Sequence, residues 1–183
     1  MQRSLADQIE TSDRLAPGGV EAIRLVAGLD IAFADSGKTT VAAAVLVTLP
    51  SLETIAEVRA TRPTRFPYPG LLSFRELPAG IEAIERLREA LDAVLYDGQG
   101  YAHPRRFGLA CHLGLALDLP TVGVAKSRLI GTHAERGAGR NLGATRGSAH
   151  GLVRAITAMS SAIFSRCSVW SPLVIACSTQ CAT

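Results

Sequence analysis

The sequence predicts an α/β fold on a mixed sheet, an antiparallel three-strand meander followed by strand–helix–strand units. Three observations predict it. Three apolar, β-rich stretches in the first third of the chain are separated by short turns, which suits hairpins. A stretch with apolar residues at helical spacing comes next. Two short, wholly apolar runs then bracket a second helical stretch, as strands buried on both faces do.

The elements follow in order. Residues 3–15 read as a short polar helix, ended by Pro17-Gly18-Gly19. Ile23 to Phe33 is an apolar strand interrupted by Asp30. After a turn at Gly37, Thr39 to Thr48 is a second strand, rich in small and β-branched residues. Pro50-Ser51 turns the chain into a third strand, Glu53 to Thr61. The prolines of TRPTRFPYPG stop any ladder there. A helix begins near Ser73 and continues past Pro78, with Ile81, Ile84, Leu87 and Leu91 on one face. Ala93 to Tyr96 is a buried strand ending at Asp97-Gly98. Residues 105–117 read as a helix and Thr121 to Ala125 as a further buried strand.

Composition bounds the function. The 183 residues suffice for one domain with a real core. With 48% hydrophobic and 19% charged residues the chain is globular, not disordered. No apolar run approaches the length of a membrane span, and the charged N-terminus lacks the apolar core of a secretion signal, so a cytoplasmic protein without a membrane partner is expected. A net charge of +3 permits a phosphate-backbone partner without demanding one. All 16 acidic residues lie between Asp7 and Glu135, and from Ala155 onward Arg166 is the only charged side chain. Cys111 reads as core; Cys167, Cys177 and Cys181 match no zinc-site spacing and read as accidental.

Several residues could carry chemistry, and each has a plain alternative. Asp30 inside an apolar strand needs a partner or a metal, unless the strand stops there and it caps a turn. Asp97 before Gly98 is a turn signal, or a carboxylate presented at a strand end where sheet folds place ligands. Ser73-Phe74-Arg75-Glu76 has the form of a capping box, which would occupy Glu76. After Asp97, the glycines Gly98 and Gly100 allow close backbone approach, while His103, Arg105 and Arg106 could move a proton and hold phosphate. Lys126 is by default a solvated strand-end lysine. His112, His133 and His150 read as helix or surface residues. Phe66-Pro67-Tyr68-Pro69-Gly70 is a rigid turn, or a stiff aromatic wedge of the kind that opens a duplex.

The order of these segments is the stronger signal. Strand-Asp30, Pro67-Tyr68-Pro69-Gly70, Phe74-Arg75-Glu76, Asp97 to Arg106, then Gly123-Val124-Ala125-Lys126 resembles the endonuclease V family step for step from about Leu25 to Gly131. The resemblance implies an RNase H-like fold and a DNA repair endonuclease, metal-dependent, that nicks on the 3′ side of deaminated purines. It implies Asp30, Glu76 and Asp97 as ligands of Mg2+ or Mn2+, hard cations that take carboxylate oxygens. His103 and Lys126 would complete the catalytic set. Pro67, Tyr68, Pro69, Gly70, Leu72, Gly98, Arg105 and Arg106 would contact the substrate: DNA with a deaminated base such as deoxyinosine, or RNA with inosine. A monomer is expected.

Beyond Gly131 the resemblance fades. Residues 1–135 are expected to be the core, and 136–183 an atypical tail, either shifted out of frame or a divergent final strand or helix. A non-catalytic nucleic-acid-binding relative is the competing function. An RNase H-like phosphoesterase without lesion preference is a third, disfavoured by the Pro-Tyr-Pro-Gly segment.

Overall fold

A computed structural model describes residues 2–10, 22–65, 71–87, 91–125, 129–130 and 176–177. A short helix α1 (Gln2–Ala6) precedes strand β1 (Leu25–Ala34). Strands β2 (Thr39–Thr48) and β3 (Thr54–Pro63) complete an antiparallel meander, with β1 paired to β2 over its whole length. Helix α2 (Leu72–Arg86) leads to β4 (Ala93–Asp97), and helix α3 (Leu109–Leu117) to β5 (Thr121–Ala125). Among the described residues of the tail, Ala176–Cys177 forms a two-residue strand β6, antiparallel to β5. The sheet order is β3-β2-β1-β4-β5-β6, with β1, β4 and β5 parallel. The mixed, RNase H-like sheet, a meander followed by strand–helix–strand units, is the one expected.

The side chains alternate along each strand and divide the core in two. On the helix side, Ala27, Leu29, Ala42, Ala44, Leu46, Ala60, Val94 and Tyr96 pack with residues of α2 and α3. Alanines on β2 and β3 share this cluster with Ala79 and Ala83 of α2. A side chain at Gly80 would press at 3.2 Å on both Leu29 and Ile31. Small residues therefore let α2 approach β1 on either side of Asp30. The opposite cluster is Ile23, Val26, Val47, Leu95 and Val124. Asp92 sets the parallel register: its carboxylate accepts from the Arg24 and Leu25 amides at 2.7 and 2.8 Å, and its own N–H donates to the Leu25 carbonyl.

Several expected boundaries move. Helix α1 ends at Ala6 and not at residue 15. The ladder of β3 runs on to Pro63, paired with Thr39, because on an edge strand a proline's missing N–H can face away from the sheet. The capping box is not formed, because the N-cap is Leu71, two residues before Ser73. The Leu71 carbonyl already accepts the Phe74 amide, Ser73 is buried inside the first turn, and no side chain caps the helix. Glu76 is thereby released from capping. Pro78 lies inside one continuous α2, which ends at Arg86 and not at Leu91. Helix α3 begins at Leu109, not at residue 105. Arg106 turns the chain with φ 54°, and the Gly108 amide is drawn to the Gly100 carbonyl at 3.1 Å. Cys111 is buried in α3, as read from the sequence.

Candidate active site

The parallel pairing of β1 with β4 places two carboxylates side by side. Leu29 pairs with Tyr96, and Asp30 and Asp97 are the next residue on each strand. Both stand at the carboxyl end of the β4 pairing, where parallel strands present ligands. The Asp30 carboxylate accepts the amide of Ile31 at 2.8 Å.

Helix α2 brings the third carboxylate. Its first turn is held from two strands. The Arg75 guanidinium stacks 4.2 Å from the centre of the Phe33 ring on β1, a cation–π contact. The buried Thr40 hydroxyl on β2 donates to the Arg75 carbonyl at 3.3 Å and shares a hydrogen bond with Thr64. Glu76 follows at once and is 7% exposed. Its Oε2 accepts the Tyr96 hydroxyl at 2.9 Å.

The electrostatics show that the three acids share one locality. Burial pushes the Glu76 carboxyl up from 4.5 to about 7; the negative charges of Asp30 and Asp97 add to the rise, against the Tyr96 hydrogen bond and Arg75, which lower it. The Tyr96 phenol is pushed well above 10 by burial, with Glu76, Asp30 and Asp97 adding to the shift. Three hard oxygen donors, two of which raise the proton affinity of the third, suit a divalent cation. Among the described residues, no three acidic, histidine or cysteine side chains stand close enough together to hold an ion.

The loop after Asp97 is tightly seated. The Gly98 amide donates to the Val124 carbonyl at 2.9 Å, and the Gln99 carbonyl accepts the Ala110 amide at 3.1 Å. A side chain at Gly123 would lie 2.4 Å from the Gly100 nitrogen and 2.7 Å from the Gly98 oxygen. Gly123 therefore works as the floor on which this loop rests, a role its place in an apolar strand did not reveal. His103 accepts the Arg105 amide on Nδ1 at 3.2 Å, which leaves Nε2 to carry the proton of a neutral ring. Burial and then the Arg105 charge lower its pKa below 6.5. The charge acting on His103 is thus that of Arg105 and not of a site carboxylate. Arg106 is exposed and stacks toward Tyr101 at 5.3 Å.

Of the other expected site residues, Leu72 is the first residue of α2 and is 45% exposed beside the exposed Leu71. Pro67, Tyr68, Pro69, Gly70 and Lys126 lie outside the described residues. Tyr96 was not singled out from the sequence, where it reads as one more apolar strand residue. Its signal was the single hydroxyl in an otherwise aliphatic buried strand.

Known proteins with this pattern agree with one another. A family model described as Endonuclease V matches residues 3–182. An Endonuclease V of Nostoc punctiforme is 46% identical over 154 residues, covering 84% of this chain and 65% of the relative. The chain spans about 60–65% of the length of this relative and of those from Trichormus variabilis and Nostoc sp.. The crystal structure of the Endonuclease V from Streptomyces avermitilis superposes with a TM-score of 0.66 at 38% identity, over 76% of this chain and 60% of that one. Ciona intestinalis Endonuclease V, solved in complex with a 24mer DNA containing an inosine followed by a ribo-adenosine, gives 0.62 at 28% identity, over 69% of this chain and 55% of that one.

Proposed function

The chain belongs to the endonuclease V family, and on that premise we propose that it is a DNA repair endonuclease that nicks on the 3′ side of deoxyinosine. The observation that carries the reading is the buried Glu76 carboxylate within electrostatic reach of Asp30 and Asp97. The family implies a metal-dependent mechanism. Asp30, Glu76 and Asp97 would hold Mg2+ or Mn2+, which when bound supplies Lewis-acid polarisation of the scissile phosphate and a more acidic water.

The chain's own residues do the rest. The pairing of β1 with β4 sets Asp30 and Asp97 on neighbouring strands, and the grip on Arg75 turns Glu76 toward them, before substrate arrives. His103, neutral near pH 7 and protonated on Nε2, exchanges a proton with the attacking water or the leaving oxygen. Lys126 neutralises charge developing on the phosphate. Arg105 and Arg106, both exposed, hold the backbone of the strand. Pro67, Tyr68, Pro69 and Gly70 fill the gap left when the lesion leaves the stack, with Leu72 and the Gly98 loop bordering the extruded base. A mispaired inosine leaves the helix at lower cost than a paired base. The partner is DNA containing a deaminated base, as in the Ciona complex, with inosine in RNA as the related substrate.

The same proposal divides the chain at residue 135 into a core and an atypical tail. It places the protein in the cytoplasm as a monomer; among the described residues, no helix is long and apolar enough to cross a membrane. The gene's nucleotide sequence tests the tail: a family-like continuation in another frame identifies a shift, and its absence a divergent end.

An end-labelled duplex carrying one deoxyinosine, with Mg2+, tests the activity against an Asp97→Ala control. A nick 3′ of the lesion, reduced at least a hundredfold in the variant, is expected. A folded chain that binds the duplex without nicking it would favour a second reading, a non-catalytic binding relative. That reading draws on the altered composition from Ala155 onward, where Arg166 is the only charged side chain.

A further inference from the structure

A tyrosine on a buried strand calls for an explanation of its hydroxyl. Tyr96 is fully buried, with its ring in the helix-side core among aliphatic side chains. Phenylalanine would fill that space without a polar atom to satisfy. The Tyr96 hydroxyl finds its partner in Oε2 of Glu76 at 2.9 Å, twenty residues away in sequence and on another element. Tyr96 also precedes Asp97 directly on β4. One short strand therefore supplies a site carboxylate and the group that grips a second one.

Resting on the metal-site reading above, we propose that Tyr96 is a positioning residue: its phenol anchors Glu76 by one carboxylate oxygen and leaves Oε1 as the oxygen Glu76 offers to a divalent cation. Among the described residues, no other side chain hydrogen-bonds this carboxylate. Glu76 is then a ligand through one oxygen only, with its rotamer set by a rigid ring instead of by the ion. Partners that orient a ligand from behind typically change metal affinity about 10–100-fold when removed. The phenol also keeps a donor on the buried carboxylate, which would otherwise face apolar neighbours at a cost.

The test uses the full chain and reads metal binding apart from activity. Mn2+ is titrated calorimetrically into the unaltered protein and into Tyr96→Phe, with metal-free thermal unfolding and nicking kinetics measured in parallel. The expected result is a Kd for Mn2+ raised about tenfold or more, with kcat reduced and the KM for the duplex kept. A Kd that is unchanged or lower in Tyr96→Phe overturns the inference, even where its melting temperature falls, because that pattern is a packing role alone.

Should Tyr96→Phe fail to fold, the unaltered Tyr96 remains open to observation. The chain has three tyrosines, Tyr68, Tyr96 and Tyr101. In Tyr68→Phe/Tyr101→Phe protein labelled with 3-fluorotyrosine, the one fluorine signal is that of Tyr96. It should shift on addition of Mg2+, and a signal that does not move overturns the inference. Absence of Mn2+ binding in the unaltered chain overturns the inference and the metal-site reading together. Equal binding by the unaltered chain and Tyr96→Phe overturns the inference alone.

Discussion

Replacing Glu76 by glutamine removes a buried charge while keeping its shape and a carbonyl oxygen to accept the Tyr96 hydroxyl. In metal-free protein the Glu76 carboxyl sits at about 7 instead of 4.5, mainly because burial penalises the charged form. An acid raised by folding keeps its proton in the folded state while the unfolded chain has lost it. Its contribution is fully present below about 4.5 and is lost as pH rises through about 7. That interval, at about 1.4 kcal/mol for each pH unit, corresponds to about 3 kcal/mol. Glutamine carries no such dependence. Urea unfolding in the presence of a chelator, from about pH 5 to about pH 8, should show Glu76→Gln gaining on the unaltered protein by up to about 3 kcal/mol. Other titrating groups, His103 and His112 among them, are common to both proteins and cancel in the difference. Saturating Mn2+ should shrink the gap by stabilising only the chain with the carboxylate. A stability difference that stays constant across this pH range would refute the placing of Glu76 as a buried carboxylate crowded by Asp30 and Asp97.

Two further outcomes follow from the same geometry. Gly123→Ala drives a methyl group into the Gly100 nitrogen and Gly98 oxygen, so urea unfolding should show a loss of about 1–3 kcal/mol from overpacking; a loss below about 0.5 kcal/mol would mean that the loop yields freely. The His103 ring should titrate below 6.5 by proton NMR, and Arg105→Ala should raise its midpoint, since burial and the Arg105 charge both hold it down; an unmoved midpoint would remove Arg105 from the account.

Local patterning by itself determined much of this protein. The ends of β2 and β5 fall where the runs Thr39–Thr48 and Thr121–Ala125 end, because a turn residue or a polar neighbour closes each apolar stretch. The order of Asp30, Glu76 and Asp97, each within a recognisable segment, pointed to the family. Tertiary structure decided what Glu76 does. Ser73-Phe74-Arg75-Glu76 is a good capping box by local rules, yet Thr40 on β2 and Phe33 on β1 seize Arg75 and turn Glu76 inward. The start of α3 was decided in the same way, by the Gly100 carbonyl reaching Gly108. So was the use of the Tyr96 hydroxyl, which reads as strand filler until α2 brings a carboxylate to it. Periodicity and turn chemistry act between near neighbours in the chain, and so they are legible in sequence. The partners of Arg75, Gly123 and Tyr96 come from other elements and exist only once the sheet has set their register.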